Sequence, residues 1–265
     1  MNPPNVSIRD VQAVYDGPEG ELWELIMGEQ IHVGGWKSSM ELARLAGISN
    51  GMHGLDLCSA LGAGCRFLAK NFGVTMTGLD ATETMLRKAR ERAANEKLND
   101  KISFVAGDVS TGHFPDGSFD FVWGEDAWCY VLDKEALIKH AALALKSGGV
   151  IAFTDWVEGP AGMTEAEAAR IEAFMKFPNL QTRQGYESLL KQHGLIVTHS
   201  TDLTEEFAGY VDFYIKMLTD QLTYDALRII GDDLNLFQMM GGEMSFMGEM
   251  AHAGKMGRCR IIARK

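Results

Sequence analysis

From Gly54 onward, short apolar runs alternate with polar stretches of helical periodicity. Leu55–Leu57, Val74–Leu79, Ile102–Ala106, Phe119–Trp123 and Val150–Phe153 are brief, nearly unbroken apolar segments, as expected of strands covered on both faces. Between them Arg66–Phe72, Ala81–Glu96 and Lys134–Leu145 read as helices, the last stopped by Ser147–Gly148–Gly149. Strands and helices alternating at this spacing predict an α/β fold with a doubly wound, mainly parallel sheet.

After Asp155 the rhythm changes. Thr164–Phe177 predicts a helix with Thr164 as its cap and Glu167 at the capping-box position. Tyr186–His193 predicts another, stopped by Gly194, and Leu195–Thr198 a strand. Val211–Ile230 reads as one long helix or a pair, Met239–Ala253 as a helix, and Arg258–Ala263 as a closing strand after a Gly254–Lys255 turn. Upstream, residues 1–50 are polar and helical, with Leu22, Leu25 and Ile26, then Met40, Ala43 and Leu45, at helical spacing. They are broken by DGPEG and by GEQIHVGGW, a glycine-rich stretch that is either a packed loop or a lid over a ligand. No repeat or linker divides the chain. The expectation is one domain over 1–265, with an N-terminal lid (1–50), a core (51–158) and cap helices with closing strands (159–265).

Composition narrows the function. The chain has 265 residues, 46% hydrophobic and 23% charged, an ordinary soluble globular balance. A net charge of −11 argues against a nucleic-acid partner, which calls for a basic face. No apolar run is long enough to span a bilayer, and the opening MNPPNVSIRD lacks the apolar centre of a signal peptide. Cys58, Cys65, Cys129 and Cys259 form no CxxC pair and have no histidine at zinc spacing, so reduced thiols in a cytoplasmic protein without a structural metal are expected.

The chemistry sits where the predicted strands end. In a doubly wound sheet, ligands bind beyond the carboxyl ends of the strands. Asp56, Asp80, Asp108 and Glu125 with Asp126 stand at four successive ends. Singly each suits a cap or a solvated loop; in order they suit a nucleoside. Asp80 is placed for a ribose diol, and Asp108 for an exocyclic amine such as adenine N6. Between the first strand and helix lies LDLCSALGAGCRFLA, a turn that delivers backbone N–H groups at a helix N-terminus. Gly62 and Gly64 are present there, whereas Cys58 and Ala60 stand where such a loop usually carries glycine.

Taken together, LDLCSALGAG, GLDATETML, FVAGDV, FPDGSFDFVWGEDAW and LKSGGVIAFTD resemble the class I S-adenosylmethionine-dependent methyltransferases across Gly54–Phe153. The resemblance implies a Rossmann-like methyltransferase fold with an N-terminal helical lid and an inserted helical cap. It brings Gly62 and the Leu57–Leu61 backbone, with Cys58 and Ala60, to the methionine moiety, and Asp80 to the ribose. Ala81 and Met85 would lie beside the adenine, Asp108 and Val109 at its edge, and Glu125 at the sulfonium. A narrower resemblance is to the small-molecule branch with sarcosine/dimethylglycine and phosphoethanolamine N-methyltransferases, carried by GEQIHVGGW, the DAW segment and AHAGKMGRCRIIARK. It makes Tyr15, Ile31, His32 and Gly34 lid residues. Where that branch often places a histidine after the fourth strand, this chain has Tyr130.

The expected reaction is S-adenosylmethionine-dependent methyl transfer to an amine nitrogen or thiol sulfur of a small molecule, leaving S-adenosylhomocysteine. Tyr130, His32 or Asp126 would remove a proton if a base is used. Trp36, Trp123, Trp128 and Trp156, with Tyr130, are candidates for an aromatic wall around a cationic substrate, or simply core. The methionines at 239, 240, 244, 247, 250 and 256 suit core, a homodimer contact or an adaptable pocket wall. Two rivals remain: the same fold redirected to dehalogenation, demethylation or a lyase step, motivated by Cys58 and Ala60, and a non-catalytic binding module.

Overall fold

A computed structural model describes residues 6–112 and 114–265; His113 and the first five residues, which open the segment read above for a leader, lie outside it. In chain order the elements are α1 (Ile8–Asp16), α2 (Pro18–Met27), α3 (Gly35–Ala46), β1 (His53–Leu57), α4 (Ala63–Phe72), β2 (Thr75–Asp80), α5 (Glu83–Asn95), β3 (Ile102–Ala106) and β4 (Phe119–Glu125). There follow α6 (Lys134–Ala144), β5 (Leu145–Glu158), α7 (Glu165–Met175), α8 (Arg183–Gln192), β6 (Ile196–Asp202), α9 (Thr204–Asp220), α10 (Thr223–Ile229), α11 (Leu234–His252) and β7 (Met256–Arg264). A single 3-10 turn, Trp128–Tyr130, follows β4.

The strands form one sheet in the order β3-β2-β1-β4-β5-β7-β6. Neighbours from β3 through β5 are parallel, and β7 is inserted antiparallel between β5 and β6. Reversal of strand order at β1 and β4 creates the crevice where such sheets bind ligands. The central strands β4 and β5 are buried on both faces, which accounts for their unbroken apolar runs. The edge strand β6 exposes Thr198, His199, Thr201 and Asp202, polar positions that discourage pairing with other chains.

Differences from the sequence reading are local. Helix α6 ends at Ala144 and β5 begins at the next residue, so Ser147–Gly149 lies within the strand, where Gly148 turns at φ +78°. Strand β5 continues past Phe153 to Glu158 because β7 pairs with it over Val150–Glu158. Of the two readings of Val211–Ile230 the pair holds: the span takes in the second half of α9, which starts earlier at Thr204, and all of α10. The Thr164–Glu167 capping box forms: Thr164 N–H donates to Glu167 Oε2 at 2.8 Å, and Glu167 N–H to Thr164 Oγ1 at 3.3 Å.

Two apolar layers sandwich the sheet, and a third cluster lies in the cap, where α7, α9 and α11 pack their methionines and aromatics over the carboxyl ends of β4 and β5. Among the described residues no helix is long and apolar enough to cross a membrane.

Candidate active site

The loop after β1 sets the geometry. Cys58, Ala60 and Gly62 all adopt left-handed backbone, with φ of +63°, +43° and +65°. Glycine takes this conformation freely; a residue with a Cβ pays roughly 1–2 kcal/mol. Cys58 and Ala60 therefore follow the path glycine would allow and carry strain for it. Gly62, which caps α4, has no such latitude, since a Cβ there would come within 2.5 Å of the Phe104 ring. Ile31 and Asp126 are also left-handed. These four non-glycine residues surround one small cavity, and clustered strain of this kind favours functional sites.

That cavity, of about 40 Å³, is bounded by the β1 loop, the end of β4 and the Gly28–Gly34 loop. Beside it, under α1 and across the ends of β2 and β3, lies a cavity of about 350 Å³. Tyr15, Cys58 and Ala60 line both. The larger one takes in Asp80, Ala81, Met85, Asp108, Val109 and Tyr130; the smaller takes in Ile31, His32, Glu125 and Asp126. Most of the residues expected from sequence are thus brought together. Gly62 stands behind the loop, and Leu57 turns into the core, its carbonyl accepting Trp128 Nε1–H at 3.2 Å.

Asp80 ties the floor together. Its carboxylate accepts Ala60 N–H and Thr82 N–H, each at 2.8 Å, so β2 holds the β1 loop directly. Burial pushes its carboxyl above the ordinary range despite these two bonds. Asp108 accepts Ser110 N–H at 2.8 Å and shapes the turn after β3. Asp56, facing the small cavity, is pushed up to about 8, chiefly by burial and then by the charges of Glu125 and Asp80; Cys65 donates its S–H to it at 3.3 Å.

Glu125 accepts Trp123 Nε1–H on Oε2 at 3.1 Å. Its Oε1 is buried without a hydrogen-bond partner, with His32 Nε2 at 3.5 Å. His32 Nδ1 lies 3.2 Å from the Val33 carbonyl, and Nε2 3.1 Å from Ser39 Oγ. A half-satisfied buried carboxylate beside a small cavity is a receptor for a cation.

Several candidates are corrected. Asp126 has Arg258 Nε at 2.8 and 3.0 Å from its two oxygens, and Val33 N–H donates to it at 2.8 Å. Both its oxygens are taken up in anchoring the loop to the last strand. Burial raises the Tyr130 hydroxyl well above its ordinary value, with Tyr15 adding to the effect, so it stays a neutral phenol. Trp36 is exposed and stacks on Phe67 away from both cavities. Trp128 is a fully buried core residue stacked on Phe153 at 4.2 Å, and Trp156 is buried in the cap cluster.

Sequence reasoning missed Arg258; α1, within the stretch expected as a lid, lies over the larger cavity through Ile8, Val11, Gln12 and Tyr15. Gln12 donates to the Ala81 carbonyl at 2.6 Å and Asp10 receives Ser7 N–H at 2.8 Å, closing the N-terminal turn. The Ser7–Asp10 spacing and the apolar Ile8, Val11 and Tyr15 were the available signals.

Residues 55–149 match the family described as methyltransferase domain. Phosphoethanolamine N-methyltransferase 1 of Arabidopsis thaliana is 28% identical over 213 residues, 79% of this chain and 41% of that protein. The chain spans about two-fifths of the length of the curated phosphoethanolamine N-methyltransferases it matches. Among solved structures, phosphoethanolamine N-methyltransferase 2 of Haemonchus contortus, in complex with S-adenosyl-L-methionine, superposes with a TM-score of 0.86 at 22% identity, covering 98% of this chain and 60% of that one. A Galdieria sulphuraria protein described as a sarcosine dimethylglycine methyltransferase gives 0.80 at 23% identity, covering 94% and 98%. Residues 55–149 thus carry a methyltransferase domain, and the chain shares the fold of these methyltransferases around the two cavities.

Proposed function

We propose that the paired cavities hold S-adenosylmethionine and that the chain methylates the nitrogen or sulfur of a small molecule. The observation that carries this reading is the unpartnered Oε1 of Glu125 beside the small cavity, with Asp80 at the larger one. Asp80 with Ala81, Met85, Asp108 and Val109 would receive the adenosine. Cys58, Ala60, Ile31 and Glu125 would receive the methionine end, with Tyr15 between. When bound, the group supplies a methyl already activated by a positive sulfur, so the protein contributes mainly alignment and dryness.

The surrounding residues fit that task. Burial raises Tyr15, Cys58 and Tyr130, the mark of a site poor in water. His32 is the group best placed to take a proton: its Nδ1–H faces the Val33 carbonyl, and Glu125 would stabilise the imidazolium formed on Nε2. Tyr130, as a neutral phenol, would orient an acceptor. Because Cys58 and Ala60 keep backbone conformations that glycine takes without strain, they give little support to redirected chemistry. Calorimetry on the purified chain should show micromolar binding of both S-adenosylmethionine and S-adenosylhomocysteine; absence of heat with either would overturn the reading.

A further inference from the structure

Lys134 opens α6, yet its charge does nothing for that helix. Asp133 caps α6 by accepting Ala136 N–H at 2.8 Å, whereas a cation in a first turn opposes the helix dipole. Lys134 is 5% exposed, and its ammonium is turned inward. It donates to the Val131 carbonyl at 2.8 Å, the Asn179 carbonyl at 3.0 Å and Asn179 Oδ1 at 2.9 Å, with the Cys129 carbonyl at 3.5 Å. Burial lowers the ammonium from its ordinary value, and the charge of Asp155 resists that fall. Burying an ammonium forfeits its hydration, which bonds to neutral oxygens offset only in part. What its three N–H donors supply is geometry.

That geometry bears on Tyr130. The carbonyls of both its chain neighbours, Cys129 and Val131, face the ammonium, while Asp155 accepts Cys129 N–H at 3.0 Å. The Trp128–Tyr130 turn is thus gripped through an amide by an anion and through carbonyls by a cation. The same ammonium fastens Asn179, whose Nδ2–H returns to the Leu132 carbonyl at 3.0 Å. This bond pins the segment that carries Phe177 and Pro178. Phe177 packs on Tyr130 at 5.0 Å between ring centroids, and Tyr15 of α1 meets Tyr130 edge-on at 5.7 Å. Tyr15, Tyr130, Val131, Leu132 and Pro178 all line the larger cavity.

We infer that Lys134 is a positioning residue for Tyr130: its ammonium, opposite Asp155, sets the turn and the Phe177–Asn179 segment so that the phenol stands at the cavity wall against Tyr15. Lys134 itself lines neither cofactor cavity, so its action passes through Tyr130. That the phenol then orients a methyl acceptor rests on the methyl-transfer reading above; the placement of Tyr130 does not.

The test is NMR of the full chain with labelled aromatic residues. Ring cross-peaks should join Tyr15 to Tyr130 and, as a control for packing of the cap on β5, Trp156 to Phe207, whose centroids are 4.9 Å apart. Lys134→Met should weaken the first by half or more and leave the second unchanged. An intact first cross-peak overturns the inference, and so does loss of both, the mark of a merely structural role. Where Lys134→Met does not fold, Asn179→Ala removes one acceptor of the ammonium and the bond to Leu132, and is read in the same way. Calorimetry with S-adenosylhomocysteine gives a second readout. Lys134→Met should lower affinity about tenfold when residue 130 is tyrosine and less than about twofold in a Tyr130→Ala background. Equal losses in the two backgrounds overturn the inference. Failure of the wild-type chain to bind S-adenosylhomocysteine would instead strike the methyl-transfer reading and leave the cross-peak comparison standing on the free chain.

Discussion

Arg258 and Asp126 form an ion pair in which both side chains are 1% exposed, and through it the last strand holds the end of β4. Asp126 passes the connection on to the Val33 amide at 2.8 Å, so the Gly28–Gly34 loop is moored to the sheet. Replacing one member of such a pair strands the other as an uncompensated buried charge, at a cost of about 3–5 kcal/mol. Arg258→Met should therefore lower the thermal midpoint by roughly 10 °C, read by differential scanning calorimetry. Cofactor affinity should fall with it, because Ile31 and His32 ride on the same loop.

Asp80 has two duties, and one substitution exposes both. Asp80→Ala removes the acceptor for Ala60 N–H and Thr82 N–H as well as the proposed ribose contact. Loss of charge-assisted hydrogen bonds at about 1.5–3 kcal/mol each predicts at least a roughly hundredfold loss of S-adenosylmethionine affinity in calorimetry. Normal affinity in this variant would show that the ribose sits elsewhere.

The loop strain gives a graded prediction. Ala60 at φ +43° carries a penalty that glycine would not. Ala60→Gly exchanges that strain for extra freedom in the unfolded chain, so stability should stay within about 1 kcal/mol of wild type. Ala60→Val sets a β-branched side chain in the same conformation and should cost about 2 kcal/mol or more in urea unfolding. The valine variant should also lose cofactor binding, since position 60 lines both cavities.

The sheet was legible because each central strand is covered on both faces and must be apolar throughout. That Asp80, Asp108 and Glu125 would stand at neighbouring cavities was legible because the parallel order of the strands brings their carboxyl ends together. What escaped notice depends on long-range contacts. Arg258 lies 132 positions from Asp126, and nothing local distinguishes it from the nearby Arg260, which instead pairs with Glu41 at 2.6 Å. Trp36 and Trp128 belong to the same residue type, yet one is solvent-facing and the other wholly enclosed, since topology decides which face of an element is covered.

Asp155 should impose a pH dependence on stability. It is completely buried and accepts Tyr186 O–H at 2.6 Å and Cys129 N–H at 3.0 Å; burial pushes its pKa up to about 7 from an ordinary 3.8. Between those values the folded chain keeps a proton that the unfolded chain releases, so stability falls as pH rises through this window and the penalty is complete above it. Asp155→Asn imitates the protonated form. In urea titrations at pH 5 and pH 7.5, the wild type should lose more stability between the two than the asparagine variant does. Equal losses would assign the slope to other groups.

Asp56 extends the same logic to ligand binding. It faces the small cavity with a pKa of about 8, so at pH 7 it is mostly protonated in the free chain. A cation arriving at that cavity favours the ionised carboxylate and lowers the pKa, which means that binding expels a proton. Two consequences can be measured together. The apparent enthalpy of S-adenosylmethionine binding at pH 7 should vary with the ionisation enthalpy of the buffer, in the sense of proton release. Affinity should rise with pH below 8, by up to about tenfold per unit if a full proton leaves. The ligand's own amine can add a linkage of its own, so the share assigned to Asp56 is what vanishes in Asp56→Asn. A wild type and an asparagine variant with the same buffer dependence would mean that the cationic end of the ligand does not approach Asp56.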